Sequence, residues 1–300
     1  MINDAHCHFF SSRFFDVLAQ QKGLQADQPG AAVTTLLDWE APGTPEALAD
    51  RWVSELDRHG VKRTSLIASI PGDEESVAVA VQRHPTRFVG FFMVDPTQPG
   101  APQAVERTLG RAGMRCACLF PAMHRYPLWD DTVLAVVDTL AEHQGSALFV
   151  HCGVLSVGVR KKLGLPSRFE MRFGNPLDLQ ALALRHPKLP IIIPHFGAGL
   201  FSEALMIADA CSNVYLDTSS SNNWIKYHPG LTLPAVFRQA LTVVGPDRLL
   251  FGTDSSFFPR GWQRAVLEQQ HTVLEGLGAD DSVRQRIFGL NFDRLFPHPA

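Results

Sequence analysis

Short runs of β-branched and other apolar residues recur along the chain, each followed by a segment whose apolar positions have helical spacing. Several runs are almost continuously apolar, which is typical of strands buried on both faces of a parallel sheet. Strands are predicted at about 2–8, 64–70, 88–95, 114–121, 146–152, 191–197, 214–219 and 248–254. Helices are predicted at about 45–59, 73–84, 101–112, 131–144, 176–186, 200–211, 234–244 and 262–276. This alternation predicts an α/β protein, a (β/α)8 TIM barrel rather than an open doubly wound sheet. Because no linker or repeat interrupts it, we expect residues 1–300 to form a single domain.

The lengths of the predicted connections are unequal. Connections from a helix to the next strand are short, whereas those that follow strands 1, 5 and 7 are long, at about 9–43, 153–174 and 220–233. In a barrel, all strand-to-helix connections emerge at the rim where active sites are found. The elaborated loops therefore predict a covered pocket at that rim.

Polar residues follow the apolar runs at several predicted strand ends. His6 and His8 are two positions apart on strand 1, so their side chains share one face. His151, His195 and Asp254 come at the ends of strands 5, 6 and 8. Burying one such group without a partner costs a few kcal/mol, about 2 or more, whereas several that converge on a cation avoid this cost. Imidazole and carboxylate suit a borderline divalent metal, so the pattern predicts a metal centre with room for water.

The order of these motifs resembles that of the amidohydrolase superfamily. The H-x-H of strand 1, the later histidines, the Gly-Thr-Asp of 252–254 and the closing segment 289–296 together resemble its amidohydrolase-2 branch. That branch includes aminocarboxymuconate-semialdehyde decarboxylase and many metal-dependent hydrolases. The resemblance covers nearly the whole chain and is specific to the superfamily rather than to one reaction.

The resemblance implies a role for each residue of the motif. His6, His8, His151 and Asp254 are expected to bind the metal, and His195 and Asp254 to take part in catalysis, with His195 as the acid/base for the attacking water. Superfamily members with two metal ions have a bridging lysine on strand 4, but residues 114–120 contain none. One divalent ion is therefore expected, with Zn²⁺ as the first choice over Mn²⁺ and Fe²⁺.

Three functions are compatible with this pattern. The first is a metal-dependent hydrolase of a small amide, ester or lactone, in which Zn²⁺ lowers the pKa of a water from about 16 toward about 7. The second is a nonoxidative decarboxylase of an unsaturated or aromatic acid, which uses the same metal ligands. The third is a catalytically silent barrel that binds metal or a small ligand, against which the intact set of polar residues argues. The fold alone does not decide between them.

The segment after strand 8 predicts the charge of the substrate. Arg260 and Trp262 follow Asp254 in this segment, and arginine is suited to bidentate binding of carboxylates. Although most loop arginines are solvated surface charges, the Pro-aromatic flanks of Arg260 favour a substrate contact. We therefore expect Arg260 and Trp262 to bind a small anionic substrate.

Composition excludes several other partners. The net charge is −3 and the pI is about 6.4, so no basic field favours nucleic acid or an anionic membrane. No apolar run approaches the roughly 18 residues of a membrane span, and the first residues do not resemble a signal peptide. The 5 cysteines are an odd number and four lie in or beside apolar runs, which favours a reducing, cytoplasmic setting. Related barrels often form dimers, so a homodimer is possible.

Overall fold

Eight parallel strand positions surround the centre of the structure, a computed structural model that describes residues 1–219 and 222–299. The first position has two segments, Ile2–Asp4 and His8–Phe9, which both pair with the second strand. The others are Val61–Ala68, Phe88–Val94, Met114–Leu119, Ala147–Val150, Ile191–Ile193, Val214–Asp217 and Leu249–Leu250. Each pairs with the next in chain order. The predicted α/β barrel is confirmed.

Strand 8 returns to strand 1 through backbone hydrogen bonds. The amide of Ala5 donates to the carbonyl of Phe251 at 2.8 Å, and the amide of His8 donates to the carbonyl of Ser255 at 2.7 Å. These bonds join the two ends of the sheet, so the last residues of strand 8 lie beside the histidines of strand 1.

Side chains on alternate positions of each strand enter two different cores. On strand 3, Val89, Phe91 and Met93 belong to the cluster inside the barrel. Phe92 and Val94 belong to the larger cluster between the strands and the helices. Because both faces are covered, all seven residues of this strand are buried, which explains its continuous apolar run.

Helices cover the outside of the barrel. The main helix that follows each strand position is, in order, Pro45–Arg58, Glu74–Arg83, Ala101–Leu109, Asp131–Glu142, Gln180–Arg185, Phe201–Ala210, Leu233–Val243 and Arg264–Gly276. After them come the helices Asp281–Gln285 and Asn291–Leu295, with the π-helical stretch Arg286–Leu290 between them. Within 1–219 and 222–299, no helix combines the length and apolarity needed to cross a bilayer.

The long connections at the carboxyl ends of the strands contain further helices. The connection after strand 1 forms the helices Ser12–Lys22 and Pro29–Leu36, and that after strand 5 forms Gly158–Lys162. These two connections touch, because the ammonium of Lys22 donates to the carbonyl of Leu163 at 2.8 Å. Together they cover one side of the rim. Of the predicted connection 220–233 after strand 7, residues 220 and 221 lie outside the described residues, and Asn222–Tyr227 forms a 3-10 helix.

The carboxyl-terminal helix closes the opposite end of the barrel. Phe296 packs on Phe91 with ring centroids 5.3 Å apart. The buried guanidinium of Arg63 donates to the carboxylate of Asp293 at 2.5 Å and to the carbonyl of Phe296 at 2.7 Å. The open rim with the long connections is therefore the accessible end.

Candidate metal centre

Three predicted ligands bring their donor atoms together at the open rim. The Nε2 atoms of His6 and His8 are 3.3 Å apart, and the Asp254 Oδ1 lies 3.5 Å and 3.1 Å from them, respectively. Among the described residues, these three form the group of His, Cys, Asp and Glu donors within 4.8 Å of one another. The first and last barrel strands thus bring together side chains that are nearly 250 positions apart.

The other ring nitrogens of both histidines are occupied. His6 Nδ1 contacts the buried carboxylate of Asp217 at 2.6 Å, so this nitrogen carries the proton. His8 Nδ1 lies 2.8 Å from the hydroxyl of Ser69, whose proton goes to the carbonyl of Ile67 at 3.1 Å. The Ser69 oxygen therefore accepts from His8. The Nε2 atoms of both rings therefore face Asp254 and are the nitrogens available to a cation, as is usual for metal-binding histidines.

His151 lies on the same cavity but outside the tight donor group. Its ring centroid is 5.3 Å from that of His195. Its Nδ1 is buried without a hydrogen-bond partner among the described residues. Burial, together with the nearby imidazoles of His195 and His6, holds the pKa of His151 well below its usual value. His151 is thus a neutral imidazole, which is the protonation state of a metal ligand.

His195 and Asp254 both have backbones in the left-handed region, with φ angles of 55° and 59°. Such angles are unusual for non-glycine residues and cluster at functional sites. Both residues lie beyond the last residue of the preceding strand. The predicted strands 191–197 and 248–254 were therefore too long, since strand 6 ends at Ile193 and strand 8 at Leu250.

His195 is held from behind by the loop after strand 7. Its Nδ1 lies 2.8 Å from the hydroxyl of Ser219, so its Nε2 is the nitrogen left for the cavity. Burial lowers the pKa of His195. The imidazole is therefore neutral at pH 7 and able to accept a proton.

The electrostatics of the donor group favour a positive charge at its centre. Burial opposes protonation of His6, but the carboxylate of Asp217 outweighs it and raises the pKa of His6 to about 9. Burial also opposes ionisation of Asp254, but the hydrogen bond from His8 and the charge on His6 lower its pKa below the usual range. A cation bound among these atoms would replace the proton that otherwise offsets the charge of Asp254. The residues present therefore fit a divalent ion.

The donor group lies at the base of a cavity of about 530 Å³. Its walls are mostly apolar, and they include the aromatic residues Phe10, Phe14, Trp39, Phe120 and Phe258. Among the described residues that line it, Asp254 is the one carboxylate, whereas Lys162 and Arg260 are cations. The Lys162 ammonium lies 5.4 Å from the centre of the Trp39 ring.

Trp262, which was predicted to bind substrate, lies outside this cavity. Its side chain is 2% exposed, and its indole N–H donates to the buried carboxylate of Asp4 at 2.7 Å. Its polar atom points into the protein, so the structure does not bring Trp262 to the cavity with the other predicted site residues. Arg260, by contrast, lines the cavity.

Sequence reasoning missed four residues that support the site. Asp217 comes at the end of the apolar run of strand 7, as His151 does after strand 5. The sequence therefore contained the same signal for Asp217, a polar residue at a strand end. Asp4 and Ser69 also follow strand residues, but short polar side chains at strand ends are common. Lys162 lies on a helix within a predicted loop, where no sequence pattern distinguishes it from a surface lysine.

Comparisons with known proteins give one curated relative and several solved structures. The protein FluG of Emericella nidulans is 25% identical over 170 residues, which are 55% of this chain and 18% of that protein. The chain thus spans less than a fifth of the length of this curated relative.

Solved structures match almost the full length. A 5-carboxyvanillate decarboxylase from Novosphingobium aromaticivorans, with bound manganese and a nitrobenzoic acid, has a TM-score of 0.67 at 14% identity and covers 99% of this chain and 97% of its own. A probable 2-pyrone-4,6-dicarboxylic acid hydrolase from Acinetobacter baumannii, with bound citric acid, has a TM-score of 0.61 at 14% identity and covers 98% of both chains. An amidohydrolase from Burkholderia multivorans with bound zinc has a TM-score of 0.63 at 16% identity and covers 100% of both chains.

At these identities the solved structures establish the fold, and the family follows from the sequence. The amidohydrolase family model Amidohydro_2 matches residues 4–297, which include every residue of the predicted metal centre. The chain therefore belongs to the amidohydrolase family.

Proposed function

We propose that this protein is a metal-dependent hydrolase of a small anionic amide, ester or lactone. In this proposal His6, His8, His151 and Asp254 hold one divalent ion. The observation that carries it is the convergence of two Nε2 atoms and one carboxylate oxygen at the base of the cavity, with both Nε2 atoms freed by hydrogen bonds behind the rings. Zn²⁺ is the first choice, because the ligands are mainly imidazole. The zinc of the Burkholderia relative supports this choice, and the manganese of the Novosphingobium relative makes Mn²⁺ the second.

The chemistry divides between the ion and the protein. A divalent ion here supplies a Lewis acid for a carbonyl oxygen and lowers the pKa of a coordinated water. His195 accepts the proton of the attacking water, because its buried imidazole is neutral and Ser219 fixes its Nδ1. The same imidazole then returns the proton to the leaving group.

The charges that line the cavity support an anionic substrate. Among the described lining residues, Asp254 has the one negative charge, whereas Lys162 and Arg260 are positive and a bound divalent ion would add two more positive charges. Neither cation has a salt-bridge partner among the described residues. A substrate with one or two carboxylates offsets part of this positive charge, and the aromatic walls fit a flat, unsaturated body. The citric acid bound by the Acinetobacter relative is in line with such a ligand.

Decarboxylation is the second candidate, because the decarboxylase from Novosphingobium shares the fold and holds a substituted benzoic acid. The same metal ligands and the same acid/base histidine serve both reactions. In this alternative His195 first takes a proton from the substrate or from water and then delivers it to the carbon that loses CO₂.

Product analysis tests the proposal. Purified, metal-loaded protein is incubated in H₂¹⁸O with a panel of carboxylated lactones, esters, amides and aromatic acids. We expect one ¹⁸O atom in the product and no CO₂, and the activity should be lost in His195→Asn. Release of CO₂ without ¹⁸O uptake would establish the decarboxylase instead. Full turnover by metal-free protein would refute both candidates, and a metal-loaded protein that turns over none of the panel would favour a silent barrel.

A further inference from the structure

Asp4 lies beneath the donor group and touches both strands that carry it. We propose that Asp4 is a positioning residue, which fixes His6 and Asp254 relative to each other through a buried hydrogen-bond network. This inference rests on the proposed function, because it assumes that the two residues hold a metal ion. Asp4 itself lines no part of the cavity.

The carboxylate of Asp4 is fully buried and accepts from four donors on two chain segments. Its Oδ1 accepts from the amide of His6 at 2.9 Å and from the amide of Thr253 at 3.1 Å. Its Oδ2 accepts from the hydroxyl of Thr253 at 2.5 Å and from the indole N–H of Trp262 at 2.7 Å. One side chain therefore sets the distance between the backbone of a metal-binding histidine and the residue before Asp254.

Hydroxyl groups extend this network around both sides of Asp254. Because the Thr253 hydroxyl donates to Asp4, it accepts from the hydroxyl of Ser255, which lies 2.6 Å away. The Ser255 oxygen in turn accepts from the amide of Gln263 at 3.0 Å. The hydroxyls of both neighbours of Asp254 are thus fixed by hydrogen bonds in which the donor and the acceptor are determined. These bonds hold Asp254 in its left-handed conformation.

Trp262 connects the network to the loop that lines the cavity. Its amide donates to Glu55 at 3.0 Å while its indole donates to Asp4. The loop between Asp254 and Trp262, which carries Arg260, is therefore anchored at its far end. This gives Trp262 a positioning role in place of the predicted substrate contact.

The test is the affinity for Zn²⁺, measured by titrating metal-free protein in competition with a chelating dye. In Asp4→Asn the new amide group faces the Trp262 indole, so two donors meet. We expect Asp4→Asn to bind Zn²⁺ about tenfold or more weakly, as is typical when a residue behind a metal ligand is changed. Adding Trp262→Phe removes the opposing donor, so the double variant should bind Zn²⁺ more tightly than Asp4→Asn alone.

A matched control separates positioning from general loss of stability. Asp73 is equally buried and accepts from the hydroxyls of Ser11 and Ser76, both at 2.6 Å, but it is not part of this network. Asp73→Asn should lower the melting temperature while its Zn²⁺ affinity stays within about twofold. Equal losses of affinity in Asp73→Asn and Asp4→Asn would overturn the proposal.

Thr253 provides a second variant in case Asp4→Asn does not fold. Thr253→Val keeps the shape but removes the hydroxyl that links Asp4 to Ser255, whereas Thr253→Ser keeps it. We expect weaker Zn²⁺ binding and an altered Co²⁺ absorption spectrum in Thr253→Val, and both restored in Thr253→Ser. Wild-type affinity and spectrum in Thr253→Val would overturn the role of the network. Failure of the wild-type protein to bind Zn²⁺ would instead overturn the proposed function, and the role of Asp4 with it.

Discussion

Asp217 provides the sharpest test of how the metal centre is built. Its carboxylate lies 2.6 Å from His6 Nδ1, and the two side chains are 0% and 1% exposed. The second carboxylate oxygen accepts from the amide of Ser219, also at 2.6 Å. Asp217→Asn removes the negative charge but keeps the shape and one acceptor. This change therefore weakens the support behind His6 and leaves the Nε2 side of the ring untouched.

The size of the effect follows from the kind of hydrogen bond that is lost. A buried hydrogen bond to a charged group contributes about 1.5–3 kcal/mol, whereas one between neutral groups contributes about 0.5–1.5 kcal/mol. Asp217→Asn should therefore cost about 1–1.5 kcal/mol of metal binding, which is about a tenfold loss of affinity. Asp217→Ala leaves His6 Nδ1 without its main acceptor, and we expect about a hundredfold loss.

The assay is the same Zn²⁺ titration, with a surface pair as the control. Asp138 contacts His186 at 2.8 Å, and its side chain is 37% exposed. Asp138→Asn thus breaks a carboxylate–histidine contact of similar length away from the cavity, and Zn²⁺ affinity should not change. If Asp217→Asn binds Zn²⁺ as tightly as the wild type, His6 does not depend on Asp217 and the reasoning fails.

Four further predictions concern the metal, the acid/base, the substrate and the fold. Dialysis against a chelator should abolish activity, and Zn²⁺ or Mn²⁺ should restore it, as measured by turnover and metal content. His195→Asn should lower kcat by about 100-fold or more but keep the bound metal, so loss of metal would contradict its role as acid/base. Arg260→Ala should raise KM for anionic substrates by about tenfold, and Lys162→Met should also raise it. An unchanged KM in both variants would exclude the cationic pocket. Arg63→Leu removes the buried partner of Asp293 and should lower the free energy of unfolding by about 2–3 kcal/mol without changing Zn²⁺ affinity, as measured by denaturant titration and metal binding.

The barrel could be predicted because hydrophobic runs report directly on burial. Strand 3 is apolar throughout since both of its faces are covered, and this is visible without knowledge of any partner strand. The same reasoning found the histidines and Asp254, because each interrupts or follows such a run. It did not find the helices Ser12–Lys22 and Pro29–Leu36, which the first long connection contains. Their apolar faces pack on the rim, and the rim exists only once the barrel has closed.

The direction of the Trp262 side chain could not be predicted for a similar reason. A tryptophan two positions after Arg260 can point either into the cavity or into the protein, and its sequence position does not distinguish the two directions. What decides is the acceptor available to the indole N–H, and the Asp4 carboxylate lies 258 positions earlier in the chain. A buried carboxylate needs donors and a buried indole needs an acceptor, so the two satisfy each other inside the protein and the ring faces away from the cavity.

The strained residues of the centre show how the fold serves its chemistry. A left-handed backbone costs a non-glycine residue about 1–2 kcal/mol, yet His195 and Asp254 both adopt it. The cost is offset locally, because the amide of Asp254 donates to the carbonyl of His6 at 2.9 Å and the carbonyl of His195 accepts from Ala198 at 2.9 Å. A side chain on a regular strand points either into the barrel or toward the helices. His195 and Asp254 lie beyond the ends of strands 6 and 8 and have a positive φ, so this alternation does not bind them and both side chains reach the cavity.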